Sequence, residues 1–178
     1  MKAEQYSEKE RRQTILKIKE DLERECFKTT WQDPFFAWVH GIPLDKGESE
    51  HDTGDTLYIP GPSVRKIMPF DFAMVSLRTD HDHIFFELSL YYCKELEDVL
   101  GADAINKIYD RHAGDWAPKI DGYFNNIATE FSLRWDTEYD VYIEDSLYGN
   151  FPVESPHQII SLMQAIKKCW LEWERNSE

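Results

Sequence analysis

Residues 72–92, FAMVSLRTDHDHIFFELSLYY, alternate apolar and polar side chains on both sides of a short polar break. Val75 and Leu77 alternate with Met74, Ser76 and Arg78. Beyond the break, Phe86, Leu88, Leu90 and Tyr92 alternate with Phe85, Glu87, Ser89 and Tyr91. A period of two with aromatic and branched residues is the signature of a half-buried strand. The stretch therefore predicts a hairpin that turns within TDHDH, which commits the chain to a sheet with one face buried.

Helical patterns lie on either side of it. Ser7 and Glu10 have the spacing of a capping box, and Ile15, Ile18, Leu22 and Cys26 follow in one apolar stripe, predicting a helix over about residues 7–28. Ser155, Pro156 and Gln158 mark a second start, with Ile159, Leu162, Ile166, Cys169 and Trp173 on one face of a C-terminal helix. Between the two, KELEDVL stops at Gly101, DAINKIYDRHA starts at Asp103, and Ile120, Tyr123, Phe124 and Ile127 keep helical spacing beyond Pro118. Thr129, Phe131, Leu133 and Trp135 fit a helix end or a strand equally well. Short strands are expected around Phe36–Val39, in TLYIPGPS and in TEYDVYIED, with breaks at Gly149 and Pro152. The expected fold is α+β, an antiparallel sheet with N-terminal, central and C-terminal helices packed on one side. Its 178 residues suit one domain, 1–178, and nothing marks a boundary.

Charge narrows the range of partners. Lys and Arg total 20 against 34 Asp and Glu, a formal net charge of −14. Such a chain repels nucleic acid and anionic membrane and attracts basic partners. The three cysteines, Cys26, Cys93 and Cys169, form no CxxC and no even set, so a reducing compartment fits better than a disulfide framework. Cys26 and Cys169 are expected on apolar helix faces as small core residues. The charged opening MKAEQYSEKERRQ has no apolar signal core, and a soluble, cytoplasmic protein is expected.

The densest group of metal-ligating residues is TDHDH. In an extended strand His81 and His83 point to one side and could share a cation, with Asp80, Asp82 or His51 completing the shell, and a small metal-dependent hydrolase would use His81, His83 and Asp82. With the turn centred on His81–Asp82 the histidines diverge, and the polar residues serve the turn alone. There is no HExxH and no third ligand at a recognised spacing, so the bare turn is the expectation, with no metal and no cofactor. No GxSxG, P-loop or GxGxxG is present either, and no catalytic residue is assigned.

Two acidic stretches carry more information. DKGESEHDTGD packs five acids into eleven residues, among them Glu48, Glu50, Asp52 and Asp55, and reads as an exposed loop. In DTEYDVYIED, Asp136, Glu138, Asp140, Tyr142 and Glu144 alternate with Thr137, Tyr139, Val141 and Ile143. As one extended strand, this would set carboxylates about 6.7 Å apart along one face. That is close to roughly two 3.4 Å phosphate steps of a nucleic acid, a ladder suited to a basic nucleic-acid-binding surface. A solvated sheet face gives the same alternation, but an unbroken run of like charge does not favour stability. Tyr139, Tyr142 and Tyr148 add the residue type that anchors interfaces. Six tryptophans are many for this length; most are expected in the core, while Trp31 and Trp38 adjoin the acidic loop.

In size, charge and layout, and through DKGESEHDTGD and DTEYDVYIED, the chain resembles the immunity proteins of bacterial toxin systems such as contact-dependent growth inhibition. The resemblance spans the whole chain and carries over no site residue. It implies a small cytosolic α+β protein that binds a basic, nuclease-type toxin and blocks substrate access, with no direct contact to nucleic acid or membrane. An acidic chaperone for a secreted protein fits the same layout.

Overall fold

A computed structural model of the protein describes residues 7–33, 56–60, 73–80, 82–92, 101–103, 106, 117–139 and 143–176. Among these, α1 (Glu8–Arg24) is followed by β1 (Thr56–Pro60), β2 (Ala73–Asp80), β3 (His83–Tyr92), α2 (Ala117–Phe131), β4 (Arg134–Tyr139), β5 (Ile143–Pro152) and α3 (His157–Asn176). The five strands form one antiparallel sheet in the order β1-β2-β3-β5-β4. The chain has the expected α+β architecture. The expected strand at Phe36–Val39 lies outside the described residues, as does most of the expected helix over DAINKIYDRHA.

The capping box opens α1 as its spacing predicts. The Ser7 backbone N–H donates to Glu10 Oε2 at 2.7 Å, and the Glu10 N–H returns a bond to Ser7 Oγ at 3.3 Å. Ile15, Ile18 and Leu22 are buried. The helix then ends four residues before the predicted limit, and Cys26 is exposed outside it. The cause is a left-handed turn. Cys26 takes φ +65°, its N–H bonds to the Glu23 carbonyl, and the Phe27 N–H reaches the Leu22 carbonyl at 3.0 Å. These are the two bonds of a Schellman motif, which satisfies the last carbonyls of the helix. The reversal brings Phe27, in place of Cys26, against the core, with the Lys167 ammonium of α3 5.3 Å from its ring centre.

The same device ends α2. Ser132 has φ +56°, and the Leu133 N–H bonds to the Ala128 carbonyl at 2.8 Å. Helix and strand periodicities both fit residues 129–135 because the chain changes from one to the other inside that window. Trp135, on β4, stacks on Phe124 of α2 at 4.6 Å and 15°, and its indole N–H donates to Asp121 at 2.8 Å.

One core joins the layers. Leu57, Ile59, Leu77, Ile84, Phe86, Leu88, Leu147 and Phe151 are its strand residues, all of one pleat parity in the registers that align them. They share a cluster with Ile15, Ile18 and Leu22 of α1, Phe124, Ile127 and Ala128 of α2, and Ile159, Leu162, Met163 and Ile166 of α3. The described helices therefore cover one face of the sheet. α1 lies against β2, α2 against β4, and α3 touches both helices. Cys169 is half-buried beside this core, and burial pushes its thiol up. Gly149 does not break the chain as its residue type predicts: β5 runs through it to Pro152.

Candidate partner-binding site

The acidic stretch at 136–144 is two strands, and the single ladder expected from its alternation is not formed. β4 ends at Tyr139, β5 begins at Ile143, and the register sets Tyr139 opposite Ile143, Glu138 opposite Glu144, Thr137 opposite Asp145 and Asp136 opposite Ser146. The connection at 140–142 has three residues, so the even-numbered positions keep one pleat parity through the reversal. Asp136 and Glu138 on β4 and Glu144 on β5 thus occupy positions on the same side of the sheet. Asp136 and Glu138 keep the two-residue spacing of about 6.7 Å along β4, but Glu144 stands across from Glu138, about 5 Å away, so the longer ladder that matched nucleic-acid phosphates is not formed. Asp140 and Tyr142 lie outside the described residues, as do Glu48, Glu50, Asp52 and Asp55.

Cross-strand pairing organises the rest of the side away from the described helices. Asp136 is exposed, and its Oδ2 accepts a 2.5 Å hydrogen bond from the Tyr148 hydroxyl. That bond, more than any other influence, holds the Tyr148 phenol above its ordinary range, while neighbouring Arg134 opposes it. Arg134 stands opposite Tyr148 in β4–β5, and Glu87 of β3 stands opposite Tyr148 on the other flank. Further along, the Arg78 guanidinium lies 4.7 Å from the Phe85 ring centre, and Phe85 pairs with Asn150. Sequence reading marked Asp136 and Tyr148 but neither their bond nor the places of Arg134, Glu87 and Phe85. Only the strand registers bring those residues together, and no local pattern encodes a register across 60 residues of chain.

The TDHDH segment is a hairpin turn. Asp80 pairs with His83 across the β2–β3 ladder, leaving positions 81 and 82 to make the connection. His83 is exposed, with Nδ1 2.5 Å from Asp82 Oδ1, and the Val153 N–H donates to the Asp82 carbonyl at 3.3 Å. His81 lies outside the described residues. Among the described residues, no three His, Cys, Asp or Glu side chains gather where they could hold one metal ion.

The groups on the side away from the described helices can make charge-assisted hydrogen bonds and apolar contacts. Carboxylates offer acceptors to lysine or arginine, and Tyr148 and Phe85 supply flat apolar area beside them. Among the described residues no helix is long and apolar enough to cross a membrane. Compared with protein-family models, curated proteins and solved structures, the chain matches none.

Proposed function

We propose that this chain is an acidic protein-binding inhibitor, an immunity protein of the bacterial cytoplasm that neutralises a basic, nuclease-type toxin by covering its substrate site. The observation that carries this reading is the register of Glu138 against Glu144, with Asp136 on the same side of the hairpin. Like charges directly opposed in an antiparallel pair destabilise it. A chain that keeps them gives up stability for an interaction made elsewhere. Five acids and one base occupy Arg134–Pro152 within a chain of net charge −14, so a basic surface is drawn to this hairpin over long range. The carboxylates steer association, and tyrosines fix the dock.

The test begins with pull-down from the source cell and mass spectrometry to obtain the partner. Association is then measured with Asp136→Asn, Glu138→Gln, Asp140→Asn and Glu144→Gln combined. The combined variant should associate more slowly and with weaker salt dependence. Tyr142→Ala should raise the off-rate and cost about 2 kcal/mol if that side chain anchors the dock. Unchanged association rates at low salt would move the contact away from the hairpin. Neutralising Glu48, Glu50, Asp52 and Asp55 in parallel tests the acidic loop as the alternative contact.

A further inference from the structure

We propose that the Glu87 carboxylate, set between Tyr148 and Phe85 at the centre of the sheet, is the receptor for a single arginine side chain of the basic partner. The inference rests on the acidic partner-binding reading and names a contact that anchors it. β3 is the middle strand of the five, and Glu87 lies on its side away from the described helices. Tyr148 stands directly opposite Glu87 in β3–β5, about 5 Å away. Phe85 holds the same side two residues back along β3, about 6.7 Å away. Ser76, a small residue, takes the opposed position in β2. Glu87, Phe85 and Tyr148 are all half-buried.

Glutamate is depleted in strands, and partial burial costs a carboxylate some of its hydration. A cation with N–H donors makes up that loss. The arginines nearest in register have contacts of their own. Arg78 stands opposite Phe85, with its guanidinium 4.7 Å from that ring centre. Arg134 lies across Tyr148 from Glu87 and bears on the Tyr148 phenol. Asp136 holds the Tyr148 hydroxyl at 2.5 Å, so this wall of the site is fixed before a partner arrives. The surroundings select arginine over lysine. A planar guanidinium stacks on an aromatic ring while its N–H groups meet a carboxylate, and an ammonium has no such plane. Arg78 on Phe85 is that same stacking, made by the protein itself on this face. The net charge of −14 brings a basic surface to the site.

The experiment titrates the full chain, isotopically labelled, with the capped tripeptide Gly-Arg-Gly and follows the Glu87 carboxyl and Tyr148 ring resonances. Gly-Lys-Gly and Gly-citrulline-Gly are the controls. Gly-Arg-Gly should shift both resonances, Gly-Lys-Gly should bind more weakly, and the uncharged citrulline peptide should shift neither. Glu87→Gln should weaken Gly-Arg-Gly binding by about tenfold, and Glu138→Gln with Glu144→Gln should leave the Glu87 shifts in place. Shifts confined to residues 136–145 overturn the Glu87 receptor and leave the acidic reading standing. Equal affinity for Gly-Arg-Gly and Gly-Lys-Gly overturns the choice of arginine. A partner captured by pull-down that binds the Glu87→Gln protein as tightly as wild type overturns the receptor; one indifferent to the combined hairpin and loop variants as well overturns the acidic reading with it.

Discussion

Leu133 occupies the space that a side chain on Gly149 would need. A Cβ built on Gly149 would lie 2.5 Å from Leu133 Cδ2 and 3.6 Å from its Cα. Gly149 stands opposite the fully buried Phe86 in β3–β5, so the chain on that flank has little room to withdraw. Gly149→Ala should therefore cost about 1–3 kcal/mol through overpacking. Leu133→Ala alone should cost about 2–5 kcal/mol as a large-to-small core change. The pair should fall short of additivity by on the order of 1 kcal/mol, because each change accommodates the other. Urea unfolding midpoints of the four proteins measure this, and strict additivity would show that Leu133 swings clear at no cost.

Cys26 and Ser132 each hold a left-handed conformation, with φ +65° and +56°, at the residue that reverses a helix. A side chain costs about 1–2 kcal/mol there, and glycine avoids that cost. Glycine also loses more freedom on folding, so Cys26→Gly and Ser132→Gly should each stabilise by about 0.5–1 kcal/mol net. Cys26→Ala and Ser132→Ala should not. Thermal denaturation of the four variants separates backbone relief from any contribution of the thiol or hydroxyl. Equal effects of glycine and alanine would contradict the backbone account.

The first turn of α1 should make stability depend on acid. Hydrogen bonds from the Ser7 side chain, then from its backbone, hold the Glu10 carboxyl below its ordinary range. Lys19, then Thr29, does the same for Glu23. A carboxylate depressed in the fold contributes above its unfolded pKa, and the contribution disappears as pH falls through the folded value. Glu10→Gln keeps an acceptor for the Ser7 N–H and removes the charge. The melting temperatures of wild type and Glu10→Gln should differ near neutrality and converge on acidification below the ordinary glutamate range. A gap that persists at low pH would remove the capping carboxylate as its source.

The Tyr148–Asp136 bond gives the candidate site a spectroscopic handle. Because Asp136 is the main cause of the upward shift, Asp136→Asn should bring the Tyr148 phenol back toward the ordinary tyrosine range. The folded value is raised, so the bond's contribution is present below the unfolded tyrosine pKa and is lost as pH rises through the folded one. Ultraviolet titration of tyrosinate, taken as the difference between each protein and its Tyr148→Phe counterpart, isolates this group from the other eight tyrosines. An unshifted Tyr148 in the otherwise unmodified protein would mean the bond is not held in solution.

Where the physics is local, the sequence was a good guide. Ser7 and Glu10 announced the start of α1, and the alternation at Val75–Leu77 and Phe86–Leu88 announced β2 and β3 on either side of TDHDH. The end of α1 was misjudged because the left-handed turn falls on Cys26, where glycine would be the readable sign. The reversal after Tyr139 was hidden for a similar reason. No glycine, proline or asparagine occurs at 140–142, and a three-residue connection leaves the even-odd alternation running as though the strand were continuous. The candidate site depends on registers, and a register is a property of two strands that neither one states alone. The Tyr148–Asp136 bond therefore became visible only with the fold.

The single bridge between Thr30 and Tyr58 has a further meaning for the chain that it encloses. This pairing brings together two residues with 27 residues, 31 to 57, between them in the sequence. Closure entropy grows only logarithmically with the length enclosed, about 0.6 kcal/mol for each doubling. Closure entropy alone therefore sets little penalty on lengthening the sequence between Thr30 and Tyr58, and the bridge still delivers the chain to β1 in register.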